Sequence, residues 1–309
     1  MASENTFFRI KPPVLREKID KPDDFILIDV LTNDHFNKRH LPGAKNACVF
    51  EVVFLDNVAE IVSSKDQEIV LYGSSPKSLD ALTAAEKLTR AGYQNVNVLE
   101  GGMTAWNASG FGFEGEDPDM MFEDETSYSL EDKTYVLDID QSVIEWTGRN
   151  PNTRHHGTIQ LSEGDIVMRD GQISGKIEID MKSIKNINLE GDPLQPVLVS
   201  HLMSDDFFFV DLFPKATFTL TSAKPIENAT SSEPNFQVQG IFELRGVKKE
   251  TAFLATANMS PEGELKIEAH FDIDRTEWHV IYGSTRFFEH LGMHLVYDLI
   301  SIQLYLVAR

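Results

Sequence analysis

Few residues in this chain could carry chemistry. Cys48 is the only cysteine, so a disulfide, a CxxC pair or a thiolate zinc cluster within one chain is ruled out. It lies in Ala47-Cys48-Val49-Phe50, which reads as a buried strand and makes Cys48 an inert core thiol rather than a nucleophile. The loop Gly73-Ser74-Ser75-Pro76-Lys77-Ser78 follows the apolar run Ile69-Val70-Leu71-Tyr72 and precedes a helical pattern. A strand-to-helix turn of this kind points backbone N–H groups and a helix N-terminus inward, making a cradle for an anion. It holds no thiol, and a serine hydroxyl cannot carry a transferable sulfur. His155-His156 and His201 could suggest a metal, but adjacent strand residues point to opposite faces, so no metal site is expected. Asp272, Asp274, Arg275 and Glu277 could imitate an acid/base pair; a solvated surface or salt-bridge ladder is the plainer reading.

The elements around these residues fall into two kinds. Phe25-Ile26-Leu27-Ile28-Asp29-Val30, Ile69 to Tyr72 and Val96-Asn97-Val98-Leu99 are short apolar runs, as in parallel strands covered on both faces. Between them Leu79, Leu82, Ala85 and Leu88 recur at helical spacing from Ser78 to Ala91, with Ser78 as a cap and Gly92 at the left-handed end. Past about residue 133 the period becomes two. Ile173, Gly175, Ile177, Ile179 and Met181 share a face, as do Ala216, Phe218 and Leu220; Phe236, Val238, Gly240 and Phe242; and Ile267, Ala269, Phe271 and Ile273. That is antiparallel sheet with one face inward. A helix is expected near Val197 to Met203, and Met293 to Ala308 reads as a strand apolar on both faces. From Glu114 to Asp132 there are nine acidic residues and no Lys or Arg, the composition of an extended tether. The organisation expected is an α/β domain at 1–112, an acidic linker at 113–132 and an all-β domain at 133–309.

The first domain resembles the rhodanese family. Leu27-Ile28-Asp29-Val30, Phe36 and His40-Leu41-Pro42-Gly43-Ala44 are similar to its opening signature, and Leu99-Glu100-Gly101-Gly102-Met103-Thr104-Ala105-Trp106 to its closing one. The resemblance places the family's active-site loop at residues 73–78, with Gly73 and Ser74 where the cysteine would stand, and Leu31 where Arg is common. It therefore implies an inactive sulfurtransferase in an interaction or regulatory role. The alternative is sulfur transfer, or anion chemistry, at that loop.

The second domain resembles the YceI-like family, on Tyr135-Val136-Leu137-Asp138, His155-His156-Gly157-Thr158-Ile159, Phe213-Pro214-Lys215-Ala216-Thr217-Phe218 and Phe271-Asp272-Ile273-Asp274-Arg275-Thr276-Glu277-Trp278. The resemblance implies a lipocalin-like antiparallel barrel that binds a polyisoprenoid-type lipid. An isoprenoid or quinone would be its ligand, with no cofactor and no enzyme activity. Candidate ligand contacts are Trp146, Ile159, Ile177, Ile179, Phe207, Phe218, Phe242, Phe271, Trp278 and Tyr282, with Arg275 for a head group; plain core packing is the competing reading of each. The formal net charge of −21 argues against a nucleic-acid partner, which needs a basic footprint. Met1 to Lys11 has no apolar run of leader length, and no stretch approaches a membrane span. A cytoplasmic protein, with a homodimer through the barrel as one possibility, is the expectation.

Overall fold

The computed structural model describes residues 7–21, 24–120, 131–230, 232–260 and 262–309. The chain divides into two compact units, Met1–Glu123 and Asp124–Arg309.

In the first unit the strands are β1 (Phe8–Ile10), β2 (Phe25–Asp29), β3 (Lys45–Asn46), β4 (Glu68–Tyr72) and β5 (Val96–Leu99). They form one parallel sheet in the order β1-β5-β4-β2-β3. Helices α1 (Pro12–Ile19), α2 (Asn33–Lys38), α3 (Phe54–Ile61), α4 (Asp80–Arg90) and α5 (Gly102–Ala108) connect them. Ile28, Ile69 and Leu71 are fully buried in one apolar cluster, and Leu27, Val70 and Tyr72 in another. Two apolar clusters are what the continuous apolar runs require of strands covered on both faces.

Three expectations need correction here. Strand β3 ends at Asn46 rather than running through 47–50: Ala47 and Val49 still donate to the carbonyls of Asp29 and Val30, and the chain then turns so that Phe50 is exposed while Cys48 stays buried. Helix α4 starts at Asp80 rather than Ser78, leaving Leu79 exposed; Gly92 takes the left-handed conformation expected of it (φ +91°). The segment read as a tether begins as part of the first unit. Glu114 exchanges backbone hydrogen bonds with His40, Glu116 and Asp117 donate to the carbonyls of Asn37 and Lys38, and the Arg39 guanidinium lies 4.6 Å from the centre of the Phe113 ring. Met121, Phe122 and Tyr128 fall outside the described residues.

The second unit contains β6 (Thr134–Val136), β7 (Val143–Arg149), β8 (Arg154–Arg169), β9 (Gln172–Asn186), α6 (Leu194–Met203), β10 (Lys215–Pro225), β11 (Phe236–Leu244), β12 (Val247–Met259), β13 (Leu265–Asp274) and β14 (Leu299–Ala308). From β7 to β14 each strand pairs antiparallel with the next, and β14 pairs with β7. The result is a closed eight-stranded barrel without a free edge. Register shifts at Thr158/Gln160 and Leu161/Glu163 bend the long β8, so that its first half pairs with β7 and its second half with β6. Strand β6 and Leu137, which bridges to Ala308, bring buried Tyr135 and Leu137 to the end of the barrel where β14 finishes. Helix α6 and the long connection between β13 and β14 lie at the other end. On the outward side of β14 Leu299 and Tyr305 are exposed, whereas Ile300, Ile302, Leu304 and Leu306 face inward.

Candidate functional site: a hollow barrel and a filled cradle

The barrel is not packed solid. A cavity of about 290 Å³ runs along its interior, at the low end of small-molecule pockets and far above the ~10–15 Å³ that one water needs. Its wall is built by the alternation already visible in the sequence: Ile173, Ile177, Ile179 and Met181 from β9; Ala216, Phe218 and Leu220 from β10; Phe236, Val238 and Phe242 from β11; Ile267, Phe271 and Ile273 from β13. Of the eleven candidate positions, Trp146, Ile159, Ile177, Ile179, Phe207, Phe218, Phe242, Phe271 and Arg275 lie on the wall and Trp278 and Tyr282 do not. Trp278 is buried beside Phe242, donating its indole N–H to the Phe242 carbonyl at 3.0 Å. Tyr282 belongs to an aromatic clasp outside the wall. It packs edge-on to His201 (4.7 Å between ring centres) and against Phe207 (5.3 Å), and its hydroxyl meets His294 Nδ1 at 3.0 Å.

Arg275 is 2% exposed and engaged by the backbone. Its guanidinium donates to the carbonyls of Val280, Val296 (3.1 Å) and Tyr297 (3.1 Å), with Asp298 at 3.6 Å. Burial pulls its pKa below the usual value. These bonds give Arg275 a structural part, binding the β13–β14 connection to the end of the barrel. Asp272 and Asp274 likewise enter a surface network, Asp272 accepting from Ser301 at 2.5 Å and Asp274 pairing with Arg286 at 2.6 Å. At the same end Arg149 and Asn150, which the sequence reading did not single out, and His155, which it weighed for metal, line the cavity where β7 turns into β8; Asp165 and Thr251 are on the wall elsewhere. His155 is on the wall and His156 is not, and among the described residues no three His, Cys, Asp or Glu side chains cluster as metal ligands.

In the first unit the loop 73–78 does form a cradle, tied to α5 by Met103 N–H donating to Gly73 O and Thr104 N–H to Ser74 O. The cradle is already filled. The carboxylate of Asp80, a residue 6% exposed, accepts from Ser74 N–H and Ser74 Oγ, both at 3.0 Å, and from its neighbour Ala81 N–H at 2.6 Å. A Cβ on Gly73 would lie 1.8 Å from Asp80 Oδ1, so the internal carboxylate stands where the side chain of a cysteine would begin. Pro76 and Lys77 are exposed, and the Ser75 and Ser78 hydroxyls accept from Lys77 N–H and Asp80 N–H.

Asp29, fully buried at the end of β2, is a second internal carboxyl. Burial raises it from 3.8 to about 6, against hydrogen bonds from Tyr72 and Leu31 N–H and the nearby His40, while Asp80 raises it further. The folded state thus holds a proton that the unfolded state releases. The stabilisation is complete below pH 3.8 and is lost as pH rises through about 6. At 1.36 kcal/mol per pKa unit that is worth about 3 kcal/mol. Urea titrations of the first unit's exchange protection between pH 4 and 7 should show this fall, and Asp29→Asn should flatten it. An unchanged slope in the variant assigns the pH dependence elsewhere.

The comparisons with known proteins agree with this division. The family model of the YceI-like domain matches residues 135–308, more than half of the chain. The chain belongs to the YceI-like family. The rhodanese-like domain matches residues 11–109. Among solved structures similar to it, BcnA of Burkholderia cenocepacia has 19% identity and a TM-score of 0.44, covering 56% of this chain and 99% of that one. A polyisoprenoid binding domain from Saccharophagus degradans has 12% identity and a TM-score of 0.41, over 57% and 97%. A rhodanese-like domain from Anabaena has 23% identity and a TM-score of 0.32, over 41% and 92%. No curated protein matches the chain. No helix among the described residues of this YceI-like protein is long and apolar enough to cross a membrane.

Proposed function

We propose that the chain is a non-catalytic binding protein whose YceI-like barrel encloses a long apolar, polyisoprenoid-like lipid or quinone, with the rhodanese-like unit in an interaction or regulatory role. The observation that carries this is the cavity, whose wall is almost entirely aliphatic and aromatic. Each methylene buried there is worth ~0.8 kcal/mol, with no catalytic group required. Against the alternative of sulfur transfer or anion chemistry at 73–78 stands Asp80, which uses the cradle's donors internally. A cytoplasmic setting belongs to the proposal, supported by the single buried, unpaired thiol of Cys48. So does a homodimer through the exposed outer side of β14, which light scattering checks.

Native mass spectrometry of the intact chain as purified, followed by solvent extraction, tests the central reading. A lipid-sized adduct is expected, or uptake of an added chain isoprenoid. A chain that neither carries nor takes up lipid overturns the proposal. Ala255→Phe supplies the control: Ala255 is on the cavity wall, and a ring there displaces three or four methylenes. Uptake should fall by about a hundredfold, at ~0.8 kcal/mol each, with the unfolding midpoint little changed.

A further inference from the structure

Two polar side chains on the cavity wall have no hydrogen bond. Trp146 Nε1 and Thr251 Oγ1 are buried and without a partner among the described residues. Buried donors in folded proteins are nearly always paired, and an exception calls for an explanation. Both lie beside one girdle of aromatic rings. Trp146 pairs in register with Ile302, and Ile302 with Phe271; Phe271 stacks on Phe253 at 4.2 Å and 8°. Thr251 is two residues from Phe253 on the same face of β12, opposite Gly240. The space over Gly240 is taken by Phe218, whose Cζ would lie 2.4 Å from a Cβ added there.

An indole N–H only donates, and a hydroxyl can donate. Their common complement is an acceptor oxygen. Water is a poor candidate, since it needs two to four polar partners and the surrounding wall is apolar. An anionic head is a poor candidate too. Of the two cationic side chains on the wall, Arg275 is held by backbone carbonyls and Arg149, exposed where β7 ends, donates to Ser301. We infer that the girdle receives a neutral, carbonyl-bearing head of the bound chain lipid, its oxygen accepting from Trp146 or Thr251 or both, while the hydrocarbon tail fills the rest of the cavity. The inference rests on the lipid-binding reading and narrows its ligand to chain lipids with a neutral acceptor buried inside the barrel.

The test is competition by native mass spectrometry on the full-length, lipid-stripped chain. Three probes share one tail of about twenty carbons: the plain hydrocarbon, the methyl ketone and the pyrophosphate. The ketone should bind about five- to tenfold more tightly than the hydrocarbon for each hydrogen bond it makes, and more tightly than the pyrophosphate. Thr251→Val keeps the shape of the side chain, Trp146→Phe removes the indole N–H together with part of the ring, and each variant's own affinity for the hydrocarbon is the baseline for its ketone. At least one should bring the ketone-to-hydrocarbon affinity ratio most of the way back to one. Equal binding of ketone and hydrocarbon by the unaltered chain overturns the inference and leaves lipid binding standing, as does a ketone advantage that survives both substitutions. Preference for the pyrophosphate also overturns it. If none of the three binds, lipid binding itself fails with it.

Discussion

Arg275→Leu should lower the stability of the barrel by about 3–5 kcal/mol, the range for removing one member of a buried charged network. Three carbonyls, those of Val280, Val296 and Tyr297, lose their donor in a site only 2% exposed, and Asp298 loses a countercharge. Arg275→Lys should recover little, because an ammonium lacks the fork that spans several acceptors. Hydrogen exchange read by mass spectrometry localises the effect: residues 275–298 should open first, with loss of lipid retention following. Protection in that segment equal to the unaltered chain's would show that Arg275 does not hold the connection in place.

Gly73→Cys should produce no thiosulfate:cyanide sulfurtransferase activity and should destabilise the first unit by about 3 kcal/mol. The new Cβ displaces the Asp80 carboxylate, and two hydrogen bonds to a charged acceptor are worth about 1.5–3 kcal/mol each. Gly73→Cys combined with Asp80→Ala should be more stable than Gly73→Cys alone, since the collision is gone. Turnover by the single variant would mean that the carboxylate leaves the cradle easily, and the assignment of a filled, inactive loop would fall.

How far the sequence could be read follows from what sets each feature. Inward positions on β9, β10, β11 and β13 were legible because a strand's period of two leaves no freedom once one face is apolar. Trp278 and Tyr282 follow β13 in a connection where no period applies, so that they lie off the cavity wall could not be read from the pattern. Ser78 looked like a helix cap by residue type, yet Asp80, two positions later, closes the loop; only the fold shows that its carboxylate reaches Ser74. Strand β1 spans three residues, too few for a pattern. The acidic stretch after Phe113 reads as solvated because charge dominates its composition, while its docking on His40 and Asn37 uses backbone groups that carry no residue signature. Thr251 was invisible as a site because a threonine at an inward strand position is ordinary until its hydroxyl is seen to lack a partner.

The ring of strands is sealed by its first and last members, β7 and β14, and Val307 N–H donates to Ser142 Oγ across a separation of 165 residues. Topologies dominated by such distant pairings form slowly, since the loop must be closed before the contacts reward it. During synthesis β14 is the last of the eight strands to leave the ribosome, so an oily trough stands open to the surroundings until then. For the lipid proposed above, that stage would offer entry without passing the clasp at the end of the barrel. Once the seam is zipped, its escape rate is tied to local opening of the protein, and release should quicken with mild denaturant in step with exchange at β7 and β14.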